Sequence, residues 1–469
     1  MRFRCWGVMA ALIVVSGCDL DPEYQPPKVA LPAHFDDASG GRQSASPNAE
    51  WWRAFRDPEL SALEVKVEEA NPDLAVALAH AQAAAARADA AASTQYPELD
   101  AGAQVTANKQ SDDRPLRSPD QPTYFGDNRL TAVVPAYEID IWGRVADIVK
   151  TARAEADISA DSYSEARIEL HADLARDYVD LRGLDAEADL LKRTIDIYRS
   201  ALDLTHSRVT ANISPPLDEE RAKNQLATAE AAASDLALRR AALVTAIATL
   251  TGAAAPGFHI APSMARIAFP ARPRTTPGSV LLRRPDVAVA ERDVEAWSAR
   301  IGVARAAFYP KFTIGLLGGT QDTGFNLLSL TNSAYSLGPA ASMPIFDFGL
   351  RESELKEAQD RFKAAAENYR STVLRSLQDV QNSLSALRWL ADEARHTQVA
   401  AEAARKTADM SMALYKDGAS SYLDVFTAQN EALVAERATI VLRTLQLKAN
   451  VSLMLALGGG WTRDASLEP

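Results

Sequence analysis

A repeat at 206 positions constrains this chain most, because each copy carries a helical stretch longer than an ordinary globular domain accommodates. Gly143 and Gly349 are separated by that number, as are Asn212 and Gly418, Asp218 and Asp424, Ala222 and Ala428, and Gly252 and Gly458. The chain is an internal duplication. Gly143 to Ala211 and Leu350 to Asp417 contain no proline. In the first stretch Leu170, Leu174, Tyr178, Leu181, Leu184, Ala188, Leu191, Ile195, Tyr198 and Leu202 recur at threes and fours, the spacing of one packed helix face. At 1.5 Å per residue each helix extends on the order of 100 Å.

Each long helix reverses at a short turn. Asn212-Ile-Ser-Pro-Pro-Leu-Asp218 leads into a helix to about Leu250, and Gly418-Ala-Ser-Ser-Tyr-Leu-Asp424 into one to about Leu457. Asn212 and Gly418 suit a left-handed helix stop. Further helices are expected over Pro58 to Thr94 and Pro285 to Phe308, ending at Tyr96-Pro97 and Tyr309-Pro310. A hairpin follows each. Leu99, Ala101, Ala103, Val105 and Ala107 alternate with polar residues or glycine, a loop spans Ser111 to Asn128, and a strand returns over Leu130 to Ile139. The second hairpin runs from Phe312 to Thr320, turns through Asp322 to Asn332 and returns from Tyr335 to Met343.

The expected layout is therefore a first repeat over 51–252 with its hairpin at 96–140, a linker over 253–278, and a second repeat over 279–458 with its hairpin at 309–344. A tail covers 459–469. No stretch beyond residue 18 has the roughly 18 uninterrupted apolar residues of a membrane helix. A mature chain entering a bilayer through protein must then use strands closed into a barrel. Four strands cannot close one, since about eight is the working minimum. Four strands from each of three subunits make twelve.

The N-terminus supplies the membrane. Arg2 and Arg4, an apolar run from Trp6 to Val15 and small residues before Cys18 read as a lipoprotein signal over 1–17. Cys18 becomes the lipidated first residue, and 18–50 a tether beginning with a proline-rich stretch. Asp19 is a residue that in enteric bacteria retains lipoproteins at the inner membrane, so outer-membrane placement rests on the barrel. Cys5 leaves with the signal, so no disulfide forms. Net charge is −12, or −14 once Arg2 and Arg4 are removed, with no basic run suited to nucleic acid. The six histidines (34, 80, 171, 206, 259 and 396) are scattered without metal-ligand spacing, and no phosphate loop follows a strand. The sequence points to no enzyme, metal or cofactor.

Leu282-Arg-Arg-Pro-Asp-Val287, Ala290-Glu-Arg292 and Ala299-Arg-Ile-Gly-Val-Ala-Arg-Ala-Ala-Phe-Tyr-Pro310 resemble the signature of TolC-type outer-membrane efflux lipoproteins, the NodT-like branch. Tyr137-Glu-Ile-Asp-Ile-Trp-Gly-Arg144 and Pro344-Ile-Phe-Asp-Phe-Gly349 are similar to its strand-to-helix junctions, and Tyr415-Lys-Asp-Gly-Ala-Ser-Ser-Tyr-Leu-Asp-Val425 to its helix-tip turn. Asp21-Pro-Glu-Tyr-Gln-Pro26 resembles the stretch after the lipidated cysteine. The resemblance implies a mainly α fold with membrane β-strands. A homotrimer would form a shared 12-stranded barrel in outer-membrane lipid and a periplasmic α-barrel of long antiparallel helices. It also implies passive export of small molecules delivered by an inner-membrane pump, of the RND class, through a periplasmic adaptor. A non-conducting periplasmic coiled-coil lipoprotein, an adaptor or scaffold, is the alternative.

The resemblance assigns Asp218 and Asp424 to a periplasmic constriction and Tyr415 to the contacts that tie the tips closed. Ser420 stands where TolC has a gating arginine and Thr427 where it has another acid. From the residues alone, both aspartates are first-turn carboxylates favoured by the helix dipole, and Ser421 before Asp424 is an N-cap pattern. Gly143, Gly349, Pro97 and Pro310 suit backbone geometry at the barrel-to-helix junctions. Tyr96, Tyr124, Trp142, Tyr309 and Tyr335 suit either an interfacial aromatic girdle or ordinary packing. Trp51 and Trp52 are expected to pack near the equatorial region.

Overall fold

Proline placement decides where several of the helices begin. The computed structural model describes residues 25–36, 43–44, 48–111, 113, 120, 122–273 and 276–462. Cys18, the signal region and 463–469 lie outside the described residues. The elements are β1 (Gln43–Ser44), a 3-10 turn (Trp51–Phe55), α1 (Pro58–Ala70), α2 (Pro72–Ser93), β2 (Asp100–Gln104), β3 (Ala107–Lys109), β4 (Tyr124–Gly126) and β5 (Asn128–Ile139). There follow α3 (Arg144–Thr210), α4 (Pro216–Leu250), β6 (Arg272–Pro273), α5 (Pro277–Leu281), α6 (Pro285–Ala306), β7 (Lys311–Asp322), β8 (Ser333–Ser342), α7 (Leu350–Lys416) and α8 (Tyr422–Ala456).

The single helix expected over Pro58 to Thr94 is two. Asn71 is extended at φ −70° and ψ 121°, because a residue before proline is pushed out of the helical region. Asn71 then starts α2, its Oδ1 accepting from the Leu74 N–H at 2.9 Å. The first hairpin also differs from expectation: Tyr124–Gly126, read as loop, pairs antiparallel with Ala107–Lys109.

The chain divides into two compact units. The first comprises Gln82–Ser159 and Val289–Tyr369. It holds one four-stranded antiparallel sheet in the order β2-β5-β7-β8. The return strand of the first repeat pairs with the leading strand of the second, Asn128 opposite Asp322 through Ile139 opposite Phe312. A register shift between Val134 and Tyr137 falls at Pro135, which has no N–H for the ladder. β2 and β8 are the edges, and every residue of β8 is exposed.

The second unit comprises Val29–Ala81, Ala160–Ala288 and Arg370–Pro469. Its largest core gathers Trp51, Trp52 and Phe55 against Leu60, Leu63 and Val67 of α1, with Leu174, Tyr178 and Leu181 of α3 and Val451 and Met454 of α8. Burying one such apolar side chain contributes on the order of 2–3 kcal/mol. Residues of the 253–278 linker join this core through Ile260 and Ile267.

Buried and half-buried charges hold the linker's backbone. Arg182 of α3 donates to the Ala261 carbonyl (2.9 Å), Arg240 of α4 to that of Ile260 (2.8 Å) and Arg443 of α8 to that of Ile267 (2.8 Å). Asp185, 4% exposed, accepts from Arg182, Arg240 and the Ser263 N–H, at 2.7, 2.7 and 3.1 Å. Removing this carboxylate leaves two guanidinium groups without their shared anion. Asp185→Ala should destabilise the protein by about 3–5 kcal/mol. It should also open the 253–271 backbone to protease, as denaturant unfolding and limited proteolysis will show.

Candidate functional site at the helix turns

The turns that reverse the long helices are built from backbone rules first. Asn212 takes φ 57° and Gly418 φ 76°, both left-handed. Ile213 N–H donates to Arg208 O and Asn212 N–H to Val209 O, at 2.8 and 2.9 Å. Ala419 and Gly418 repeat these bonds to Leu414 and Tyr415, at 2.8 and 3.0 Å. This pair of bonds is the Schellman stop. Both copies therefore reverse by the same geometry.

The returning helices start differently. In α8 the Ser421 hydroxyl accepts from the Asp424 N–H (3.3 Å), and Asp424 Oδ2 accepts from the Ser421 N–H (3.1 Å) and hydroxyl (2.9 Å). That is a capping box. In α4 the N-cap is Pro215, which has neither a side-chain acceptor nor an N–H to give. Asp218, at the same helical position, closes no box and instead takes Arg221 Nη1 at 3.4 Å. Asp218 is buried and Asp424 exposed. One proline thus separates the chemistry of two carboxylates that the duplication aligns.

Tyr415 lies in a small core that ties the two helical hairpins. Its ring meets Tyr422 edge to face at 5.6 Å, with Ala201, Ala222 and Val425 around them. The Arg208 guanidinium stands 4.6 Å over the Tyr415 ring and donates to the Tyr415 carbonyl at 2.5 Å. The Thr205 and Tyr415 hydroxyls lie 3.4 Å apart. Tyr422 OH donates to Gln225 Oε1 (3.0 Å), and Gln225 donates on to Gln429 (3.4 Å). Burial pushes the Tyr422 phenol's ionisation up, so it remains a donor.

Arg208, Tyr422 and Gln225 join this cluster without having been singled out in the sequence; their partners lie about 200 positions away. Ser420, where TolC has arginine, donates to the Ser411 carbonyl at 3.4 Å, and Thr427 donates to that of Leu423 at 2.9 Å. Arg208 of α3 supplies the guanidinium that stands over Tyr415.

At the other end of the long helices, Gly143 (φ 76°) and Gly349 (φ 87°) make the left-handed step out of the strands. Asp140 caps α3, accepting from Val145 and Ala146 N–H at 3.1 and 2.8 Å. Asp347 accepts from Gly349 N–H at 3.1 Å and from Arg351 Nε at 2.5 Å. The Pro310 carbonyl accepts from Trp142 Nε1 (2.8 Å), whose indole stacks on Tyr309 at 4.8 Å. Trp142 and Tyr309 are therefore packed on each other, whereas Tyr96, Tyr124 and Tyr335 are strongly exposed. Pro97 stands between α2 and β2. No group of three or more His, Cys, Asp or Glu side chains arranged to hold a metal ion occurs among the described residues.

A duplicated chain with a four-stranded open sheet and two 67-residue helices, each turned back on a 35-residue one, has the fold of TolC-like outer-membrane channels. It superposes on the outer-membrane channel OprN with a TM-score of 0.88 at 27% identity, over 94% of this chain and 99% of that one. It matches the fold of the CmeC outer membrane channel of Campylobacter jejuni with a TM-score of 0.88 at 19% identity, over 96% of each chain. The family model for outer membrane efflux proteins matches residues 64–253 and 276–459. The chain belongs to the outer membrane efflux protein family. It is similar to the pyoverdine export outer membrane protein OpmQ of Pseudomonas aeruginosa, 27% identical over 99% of this chain and 98% of that protein. It is also similar to nodulation protein T of Rhizobium leguminosarum bv. trifolii, 28% identical over 98% of each. Outer-membrane efflux channels are not enzymes, and the adaptor or scaffold alternative gives way to a channel component.

The two aspartates should separate in a stability assay. Asp424→Ala removes the side-chain half of the capping box, leaving the Ser421 hydroxyl on the residue-424 N–H, and should cost about 0.5–1 kcal/mol, whereas Asp218→Ala, which closes no box, should cost less. Thermal unfolding of the two variants beside the native protein measures the difference.

Proposed function

We propose that three copies of this chain form a passive duct through the outer membrane, fed by an inner-membrane pump of the RND class through a periplasmic adaptor. The observation that carries this reading is the four-stranded sheet whose edges β2 and β8 are unpaired among the described residues. In a bilayer such edges must find strands, and pairing β8 of one copy with β2 of the next in a ring of three makes twelve strands without an edge. Helices of 67 residues, on the order of 100 Å, suit a periplasmic extension toward an adaptor. Lipidation at Cys18 belongs to the same proposal, with the acyl chains in the membrane that holds the barrel.

In this reading Asp218 and Asp424, repeated by threefold symmetry, ring the periplasmic mouth and favour cations there. The Tyr415, Tyr422 and Arg208 core keeps each copy's two hairpins together while the mouth is closed. Arg221 beside Asp218 and the capping box around Asp424 position these carboxylates.

Planar-bilayer conductance of the purified protein tests the duct. Small or rare openings in the native protein should become larger and less cation-selective in an Asp218→Ala/Asp424→Ala variant. Equal, large conductance in both would move the gate elsewhere, and no conductance in either would defeat the duct. Membrane fractionation of Cys18→Ser should still find the protein with outer membranes. Its loss from that fraction would mean that the lipid, and not the barrel, decides location.

A further inference from the structure

His171 is one of six scattered histidines in the sequence, yet it is buried between two carboxylates of another helix. Its Nδ1 lies 2.6 Å from Glu64 Oε2 and its Nε2 3.0 Å from Glu68 Oε2. The Glu64 side chain is 0% exposed, that of His171 3% and that of Glu68 37%. The Trp52 ring stacks on the imidazole at 4.5 Å and 24°. Glu68 also accepts from Arg167 Nε at 2.7 Å.

Two short contacts from opposite ring nitrogens to carboxylate oxygens need a hydrogen in each. A neutral imidazole carries one N–H. The second must come from protonating the ring or one of the acids. A cluster with neutral His171 and both acids ionised sets a carboxylate oxygen against a nitrogen lone pair inside the core. Glu64 Oε1 is buried without a hydrogen-bond partner, so an ionised Glu64 has nothing there to balance it.

We propose that Glu64, His171 and Glu68 form a proton-held clamp that fastens α1, with the Trp51–Phe55 turn before it, to α3, and that the clamp loosens as the medium becomes alkaline. The titratable groups coupled to it are Glu64 and Glu68 of α1 and His171, Arg167 and Tyr163 of α3. The aromatic turn, α4, the linker and α8 contribute apolar side chains to this core, and Asn450 of α8, also buried, donates to the Gln446 carbonyl at 2.7 Å. Lys448 of α8 is engaged with Asp180 at 2.6 Å.

The direction of the pH response follows from these surroundings. Burial pushes the Glu64 carboxyl up to about 7, from 4.5. Against burial, which lowers it, hydrogen bonds to the two carboxylates leave His171 raised above 6.5. The Glu64–His171 pair as a whole holds its extra proton more firmly in the folded protein. Their stabilisation is complete at low pH and is lost as pH rises, from about 4.5 to 7 for Glu64 and through the raised value for His171. Glu68, held down to about 2 first by its hydrogen bond from His171, contributes fully above 4.5 and is lost as pH falls from 4.5 to about 2, outside this window.

Hydrogen–deuterium exchange on the purified full-length protein, corrected for the intrinsic pH dependence of amide exchange, reads the clamp directly. Opening of α1 should grow by up to about tenfold per pH unit between pH 5 and 7, while amides of α8 keep their protection. Glu64→Gln places a neutral side chain of the same shape beside His171. It should remove most of the pH response, and α1 should stay protected at pH 8. Trp52 emission should follow the same profile, because protonated imidazole stacked on indole quenches it. An α1 whose protection is constant across pH 5–8 in the native protein would overturn the proposal. So would a Glu64→Gln variant that keeps the full native response.

Discussion

The unpaired edges of one four-stranded sheet are the constraint on which the rest of this protein depends. Each N–H or C=O left without a partner in hydrocarbon costs several kcal/mol, so β2 and β8 cannot face lipid as they stand. The sheet joins the two repeats through β5 and β7, and its first and last strands are edges without a partner among the described residues. Leu337 and Tyr335 on β8 are widely exposed, as suits a strand awaiting a neighbour or lipid. Membrane entry through this sheet would therefore oblige association, since no helix among the described residues is long and apolar enough to cross a membrane.

Duplication repeats the backbone more faithfully than the chemistry. Gly252 and Gly458, with φ of 69° and 86°, end the returning helices, and a Cβ at either would lie within about 2 Å of a carbonyl oxygen, that of Ala70 or Arg283. The carbonyls of Leu250 and Ala456, again 206 apart, are capped by side chains from outside their own helices. Asn71 donates in the first copy (2.8 Å) and Arg284 in the second (3.1 Å). Pro215 and Ser421 diverge in the same way at the helix starts. Equivalent positions keep their φ and ψ while their side chains take up different work, so the two halves of each subunit present different groups at the turns.

Local rules made much of this legible in advance. The proline-free stretches end within a residue of expectation, at Thr210 and Lys416, since Asn212 and Gly418 are strong stops. The four strands of the main sheet lie close to where they were expected, whereas the first is interrupted after Gln104 and Tyr124–Gly126, expected as loop, pairs with Ala107–Lys109. The split at Asn71 was readable too, because the residue before a proline leaves the helix. At the turns, Ser421 announced the capping of Asp424, and Pro215 explains why Asp218 stands free of it. The partners of Tyr415 carried no such signal: Arg208 and Thr205 are ordinary helical residues until another helix is laid beside them.

By itself the sequence determined the lengths of the helices, their turns, the alternating strands and the duplication, since hydrogen bonding and steric preference within a few residues govern each of these. Only the tertiary structure decided which distant groups meet. Glu64 and His171 are 107 positions apart, Arg182 and Ala261 are 79, and Arg443 and Ile267 are 176. No periodicity relates such pairs, and each acquires its chemistry only when packed helices exclude water and confine a charge, a proton or a carbonyl to the few partners within reach.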